Sequence, residues 1–177
     1  RGANAILELG LPELDAAERD AFRARYLDDY QACCWVASRP FEGMPEFLDC
    51  LDAADVAWGV VTNKLARFAR PVLEQAGWAE RSGCLVAGDT TGRAKPAPDP
   101  VLAACSALNV DPGGVVFVGD DERDVLAGRA AGTFTVAALW GYIPSPEQVA
   151  GWGADATAEA PAALHDLLGL ERCSVSA

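Results

Sequence analysis

Val115-Val116-Phe117-Val118-Gly119-Asp120-Asp121-Glu122-Arg123-Asp124 is an apolar, β-branched run that stops at a glycine and gives way to four acidic side chains within five positions. Such a run predicts a buried strand of a parallel sheet. In an open parallel sheet, ligands bind beyond the carboxyl ends of the strands, so the acids stand where a site belongs. Asp120 sits at the strand tip, and Asp124 lies four residues on, on the same face of any helix that begins there. Two such carboxylates suit a hard cation such as Mg2+. An acid-rich first helical turn, favoured by the helix dipole, is the other reading, and this stretch alone does not separate the two.

The segments around it alternate. Residues 56–61 read as a buried strand ending at Thr62-Asn63, 65–75 as a helix stopped by Gly77, and 84–87 as a short strand ending at Gly88-Asp89. Asp99 is positioned to cap a helix over 100–108. A helix over 123–131 closes at Gly132, and 134–139 reads as the last strand. Helices are expected over 45–54, 144–150 and 161–168. This grammar predicts an α/β, Rossmann-like parallel sheet with flanking helices.

The first residues follow a different rule. A short helix over 3–10 is followed by a longer one, capped by Asp15 and running to about Trp35. The expected division is a partial helical cap over 1–38, a hinge over 39–45 containing Pro40, Gly43 and Pro45, an α/β core over 46–170, and a disordered tail over 171–177.

Composition narrows the partners. The formal net charge is −12, which leaves no basic stripe for nucleic acid and disfavours anionic membranes. No uninterrupted apolar run is long enough to span a bilayer and no signal-like leader opens the chain, so the cytoplasm is the default expectation. The six cysteines include no Cys-x-x-Cys and read as thiols of a reduced compartment, with the adjacent Cys33-Cys34 left open. His165 is the single histidine and reads as an ordinary surface or partly buried residue rather than a base. Only Lys64 and Lys95 are lysines among 14 basic residues, which draws attention to both ammonium groups.

Three strand ends then converge. Thr62 and Asn63, Lys95, and Asp120 with Asp124 together supply a hydroxyl, an ammonium and paired carboxylates, a set that handles phosphate in the presence of Mg2+. The metal answers a physical need. Like unit charges about 4 Å apart repel by roughly 4 kcal/mol at an effective dielectric near 20, so a phosphate dianion is rejected by bare carboxylates.

In this order, Gly59-Val60-Val61-Thr62-Asn63-Lys64, Gly88-Asp89 leading to Lys95-Pro96, and Gly119-Asp120-Asp121-Glu122-Arg123-Asp124 resemble the second, third and fourth motifs of the haloacid dehalogenase superfamily. Lys95-Pro96-Ala97-Pro98 and the Ala-Gly-Arg-Ala-Ala-Gly run behind Asp124 resemble its phosphoglycolate phosphatase group. Gly141-Tyr142-Ile143 and Trp152-Gly153-Ala154-Asp155 look more like the branch that hydrolyses N-acetylmuramic acid 6-phosphate. The resemblance implies a Mg2+-dependent phosphomonoester hydrolase acting on a small phosphorylated metabolite through an aspartyl-phosphate. It implies Thr62, with the Asn63 backbone, on the transferring phosphoryl group, Lys95 between phosphate and nucleophile, Asp120 on Mg2+, and Asp124 behind it or through water.

The family's first motif, Asp-x-Asp-Gly-Thr, does not occur in the 177 residues. It carries the nucleophile on the central strand, so the sequence reads as an inactive fragment without that strand. The strands ending at Thr62 and Asp120 are then expected to flank an open lane, roughly 10 Å wide, twice the usual strand spacing. A non-catalytic phosphate-binding or regulatory module is the alternative from another class, and a phosphomutase remains open. A dehalogenase does not need the metal, and a Schiff-base phosphonate hydrolase needs a cap lysine that residues 1–61 lack.

Overall fold

The computed structural model describes residues 2–143 and 145–171. Arg1, Pro144 and the tail over 172–177 lie outside the described residues. Helices α1 (Gly2–Gly10) and α2 (Ala16–Cys33) pack on each other. Asp15 caps α2 as expected. Its carboxylate accepts the Glu18 N–H at 2.9 Å, and the Glu18 carboxylate accepts the Asp15 N–H at 3.0 Å, an arrangement whose loss costs about 1 kcal/mol.

The alternating region forms α3 (Met44–Ala53), β1 (Val60–Val61), α4 (Ala66–Gln75), β2 (Leu85–Val86), α5 (Asp99–Leu108), β3 (Val116–Gly119), α6 (Glu122–Ala131), β4 (Phe134–Ala138), α7 (Pro146–Ala150), β5 (Ala156–Ala158) and α8 (Ala163–Leu168). All strand pairs are parallel. The expected α/β class with a parallel sheet and flanking helices is therefore what the chain forms.

Among the described residues the strands form two separate ladders, β1–β2 and β3–β4–β5, with none between β1 and β3. The absence of pairing between these two strands agrees with the expected open lane. Packed helices join the halves. On one face, Val101 and Cys105 of α5 meet Ala127 and Ala131 of α6 over Phe117. On the other, Phe47, Leu48 and Leu51 of α3 meet Val136, Ala158 and Leu164, with Trp58 and Trp78 packed alongside.

The expectations fail in identifiable places. The strand expected over 56–61 is reduced to Val60–Val61, because only β2 pairs with it and its other edge has no ladder partner among the described residues. β3, expected to be buried, is half-exposed throughout for the same reason. The last strand is β5, which the sequence reading missed. Asp99 does not cap α5, which has no side-chain cap bond; its carboxylate pairs with Arg93 at 2.9 Å instead. His165 is buried at 5% exposure, its ring edge-on to Phe47 with centroids 5.2 Å apart, so it is more enclosed than the surface or partly buried position expected of it.

Candidate active site

The site gathers at the carboxyl ends of β1 and β3. Parallel strands that stop together bring their following loops to one rim. Thr62 follows β1 directly, and its hydroxyl oxygen accepts the Lys64 N–H at 3.1 Å. That bond fixes the oxygen and leaves the hydroxyl proton available for an acceptor in the site.

Asn63 has a task that its position after a strand does not reveal. Its side-chain amide donates to the Lys95 carbonyl at 2.9 Å, and its side-chain oxygen accepts the Lys95 N–H at 3.0 Å. The two bonds pin the loop after β2 against the end of β1. Gly88 allows this approach, since a Cβ there would lie 2.3 Å from the Asn63 carbonyl oxygen. The peptide bond between Lys95 and Pro96 is cis.

Lys95 reaches across the lane. Its ammonium lies 2.7 Å from Asp124 Oδ1 and donates to the Val61 carbonyl at 2.7 Å. It also stands 5.6 Å from the centre of the Phe117 ring. Both side chains of the Lys95–Asp124 pair are largely buried, which strengthens their mutual attraction and makes either charge costly to leave alone.

Asp120 and Asp124 are divided by the start of α6 rather than carried on one helical face, which corrects the expectation drawn from their spacing. Asp121 caps the helix, and its backbone N–H is accepted by Asp124 Oδ2 at 3.3 Å. Asp120 lies before the cap, and its Oδ2 accepts the Tyr142 N–H at 2.9 Å. Two glycines make room for these carboxylates. A Cβ on Gly119 would lie 2.3 Å from Asp124 Cβ, and one on Gly141 would lie 2.2 Å from Asp120 Cβ.

One acid beside the site, Asp121, is held ionised by its neighbour Arg123. Hydrogen bonds from the Arg123 guanidinium, at 2.8 Å to each oxygen, and from its backbone N–H at 3.0 Å hold the Asp121 carboxyl down at about 2. Asp121 is thereby committed to the start of α6 and is not available as a ligand.

The donor set suits Mg2+ in kind and number. Asp120 Oδ1 takes no protein donor among the described residues, whereas both Asp124 oxygens are engaged. No group of three or more His, Cys, Asp or Glu forms a ready cage among the described residues. Mg2+ commonly takes one or two carboxylates and fills its octahedron with water and phosphate oxygens.

The structure thus brings Thr62, Asn63, Lys95 and Asp124 into one connected network, with Asp120 beside it on the Tyr142 backbone. Sequence reasoning missed the Tyr142 N–H, the Val61 carbonyl and the clamp made by the Asn63 side chain. Only the last left a signal, an amide residue directly after a strand. Asp89 was missed as well: its carboxylate accepts the Ala66 N–H at 2.9 Å and so satisfies the start of α4, whose own cap residue is Leu65.

A haloacid dehalogenase-like hydrolase family model matches residues 3–132. An N-acetylmuramic acid 6-phosphate phosphatase of Pseudomonas aeruginosa is 48% identical over 97% of this chain and 76% of its own length. A phosphoglycolate phosphatase of Xanthomonas campestris pv. campestris is 41% identical over 94% of this chain and 75% of its own length. A crystal structure described as a predicted phosphoglycolate phosphatase from Haemophilus somnus aligns with a TM-score of 0.83 at 25% identity, covering 92% of this chain and 72% of that one.

Proposed function

Because the chain belongs to the haloacid dehalogenase-like hydrolase family and its relatives are phosphatases, we propose that it forms the phosphate- and Mg2+-binding side of a phosphomonoesterase site. The observation that carries this reading is the Lys95 ammonium, held between the end of β1 and Asp124 at 2.7 Å from each. A cation fixed there meets the phosphoryl group without first having to reorganise. The Thr62 hydroxyl and the Asn63 backbone bind phosphoryl oxygens. The Asn63 side chain positions Lys95, and Asp124 holds its ammonium.

Asp120 is the proposed Mg2+ ligand, with Asp124 behind it or acting through water. A bound Mg2+ neutralises phosphate charge beside the carboxylates. The nucleophile implied by the family resemblance is the first-motif aspartate, and the 177 residues contain no Asp-x-Asp followed by Gly-Thr. The alternative reading is a phosphate-binding module without turnover. The substrate we propose first is N-acetylmuramic acid 6-phosphate, in keeping with the 48% identity to a phosphatase of that name, followed by 2-phosphoglycolate, with 41% identity.

Hydrolysis of p-nitrophenyl phosphate with Mg2+ tests the reading. The 177-residue chain is expected to be inactive, and a chain extended ahead of Arg1 by an Asp-x-Asp-Gly-Thr segment is expected to be active and to lose activity on chelation. No turnover in the extended chain would favour the module. The two named substrates are then compared by phosphate release.

Among the described residues, no helix is long and apolar enough to cross a bilayer. Cys84 and Cys105 are unpaired thiols, as expected for them, and so are Cys33 and Cys34, the pair that the sequence left open.

A further inference from the structure

Among the described residues, four cations around the strand ends are paired with carboxylates. Lys95 meets Asp124, Arg93 meets Asp99, Arg123 meets Asp121 and Arg67 meets Asp28. Lys64 has no carboxylate among the ion pairs of the described residues. In a chain of net charge −12, a half-buried ammonium without an acidic partner needs an explanation.

Its position supplies one. The Lys64 backbone N–H holds the Thr62 hydroxyl oxygen at 3.1 Å, so the side chain leaves the main chain at the edge of the phosphate site. The ammonium donates to the Tyr30 hydroxyl and stands 4.9 Å from the centre of the same ring. Tyr30 is braced in turn, edge-on to Phe68 with centroids 5.6 Å apart and stacked with Tyr26 at 6.5 Å. α2 therefore presents an aromatic bracket that fixes the cation without neutralising it. An ammonium has three donors, and Tyr30 takes one.

We infer that Lys64 binds a carboxylate carried by the leaving group of the substrate, and that Tyr30 holds the ammonium in place for it. This rests on the phosphatase reading and sharpens it, because it selects phosphomonoesters with a second anionic group on the alcohol side. N-Acetylmuramic acid 6-phosphate and 2-phosphoglycolate both carry such a carboxylate. The rival account is a strut that locks α2 to the start of α4.

Matched substrate pairs separate the two accounts in the full-length protein with Mg2+. One pair is N-acetylmuramic acid 6-phosphate and N-acetylglucosamine 6-phosphate, which lacks the lactyl carboxylate. The other is 2-phosphoglycolate and p-nitrophenyl phosphate. Lys64→Met is expected to lower kcat/KM for the carboxylate-bearing member on the order of tenfold more than for its partner in at least one pair, the scale of a lost charged hydrogen bond. Lys64→Arg should recover part of that ratio, and Tyr30→Phe should lose part of it. The ratio is read within one sample, so partial misfolding does not affect it. Equal losses on both members of both pairs would overturn the inference in favour of the strut. Absence of wild-type turnover on all four compounds would overturn the phosphatase reading and, with it, this assignment.

Discussion

The Lys95 ammonium and the Asp124 carboxylate meet at 2.7 Å with both side chains largely buried, although Lys95 lies in the loop after β2 and Asp124 on α6, which follows β3 in the other ladder. Removing one member leaves the other charge stranded. Lys95→Met and Asp124→Asn are each expected to lower unfolding free energy by about 3 kcal/mol, and the double variant should cost well under the sum. Urea denaturation of the four proteins measures the coupling. Additive losses would show that the pair contributes no interaction of its own.

Gly119 is required by a close approach, not by its backbone angles. A Cβ there falls 2.3 Å from Asp124 Cβ, which would force the start of α6 away from β3. Gly119→Ala is expected to destabilise by about 1–3 kcal/mol. Gly92→Ala, where nothing lies within 4 Å, should change the thermal midpoint little. Equal midpoints for the two variants would contradict this account.

Asn63 acts through Lys95. Asn63→Ala removes a donor and an acceptor from the Lys95 backbone and is expected to cost about 2 kcal/mol. Asn63→Asp keeps the acceptor for the Lys95 N–H but sets a carboxylate against the Lys95 carbonyl. In the chain extended by an Asp-x-Asp-Gly-Thr segment, both variants should lower kcat more than they raise KM for p-nitrophenyl phosphate, because the ammonium is misplaced while Thr62 remains. A pure KM effect would place Asn63 on the substrate instead.

Asp121 gives the acid limb of stability a definite sign. Its carboxyl is held below the ordinary 3.8, at about 2, chiefly by the Arg123 side chain. A depressed folded-state value contributes stability that is present above about pH 4 and is lost as pH falls toward 2. Solvent screening of this partly exposed pair keeps the contribution below about 1 kcal/mol. Urea midpoints taken from pH 5 to pH 2 should fall less steeply for Asp121→Asn than for the wild type. Parallel curves would show that the pairing does not carry the effect.

The alternating order and the polar strand ends were legible because strands and helices leave different periods, and because glycines and acids punctuate them. β5 was not legible, since Ala156-Thr157-Ala158 has no large apolar side chain. It is ordered by its neighbour: Asp155 accepts both the Thr135 N–H and the Thr135 hydroxyl at 2.7 Å. The capping of α4 by Asp89 was hidden because cap and helix lie 23 positions apart. The Tyr30–Lys64 contact was hidden for the same reason, at a separation of 34. His165 was misjudged because a lone polar residue on a short helix gives no sign of the Phe47 ring that covers it.

The division of the strands into two ladders has a mechanical consequence. A continuous sheet passes a displacement from strand to strand through its backbone bonds. Here, a movement of the β1–β2 half reaches the β3–β4–β5 half through packed helices and through the Lys95 ammonium, which touches both sides. That ammonium works as a gauge of the gap: widening by an ångström or two breaks one of its two contacts and changes the charge felt at Asp124. Anything that sets the spacing of the halves, whether a strand seated in the lane or a phosphate drawn to its mouth, is thereby translated into the electrostatics of the site.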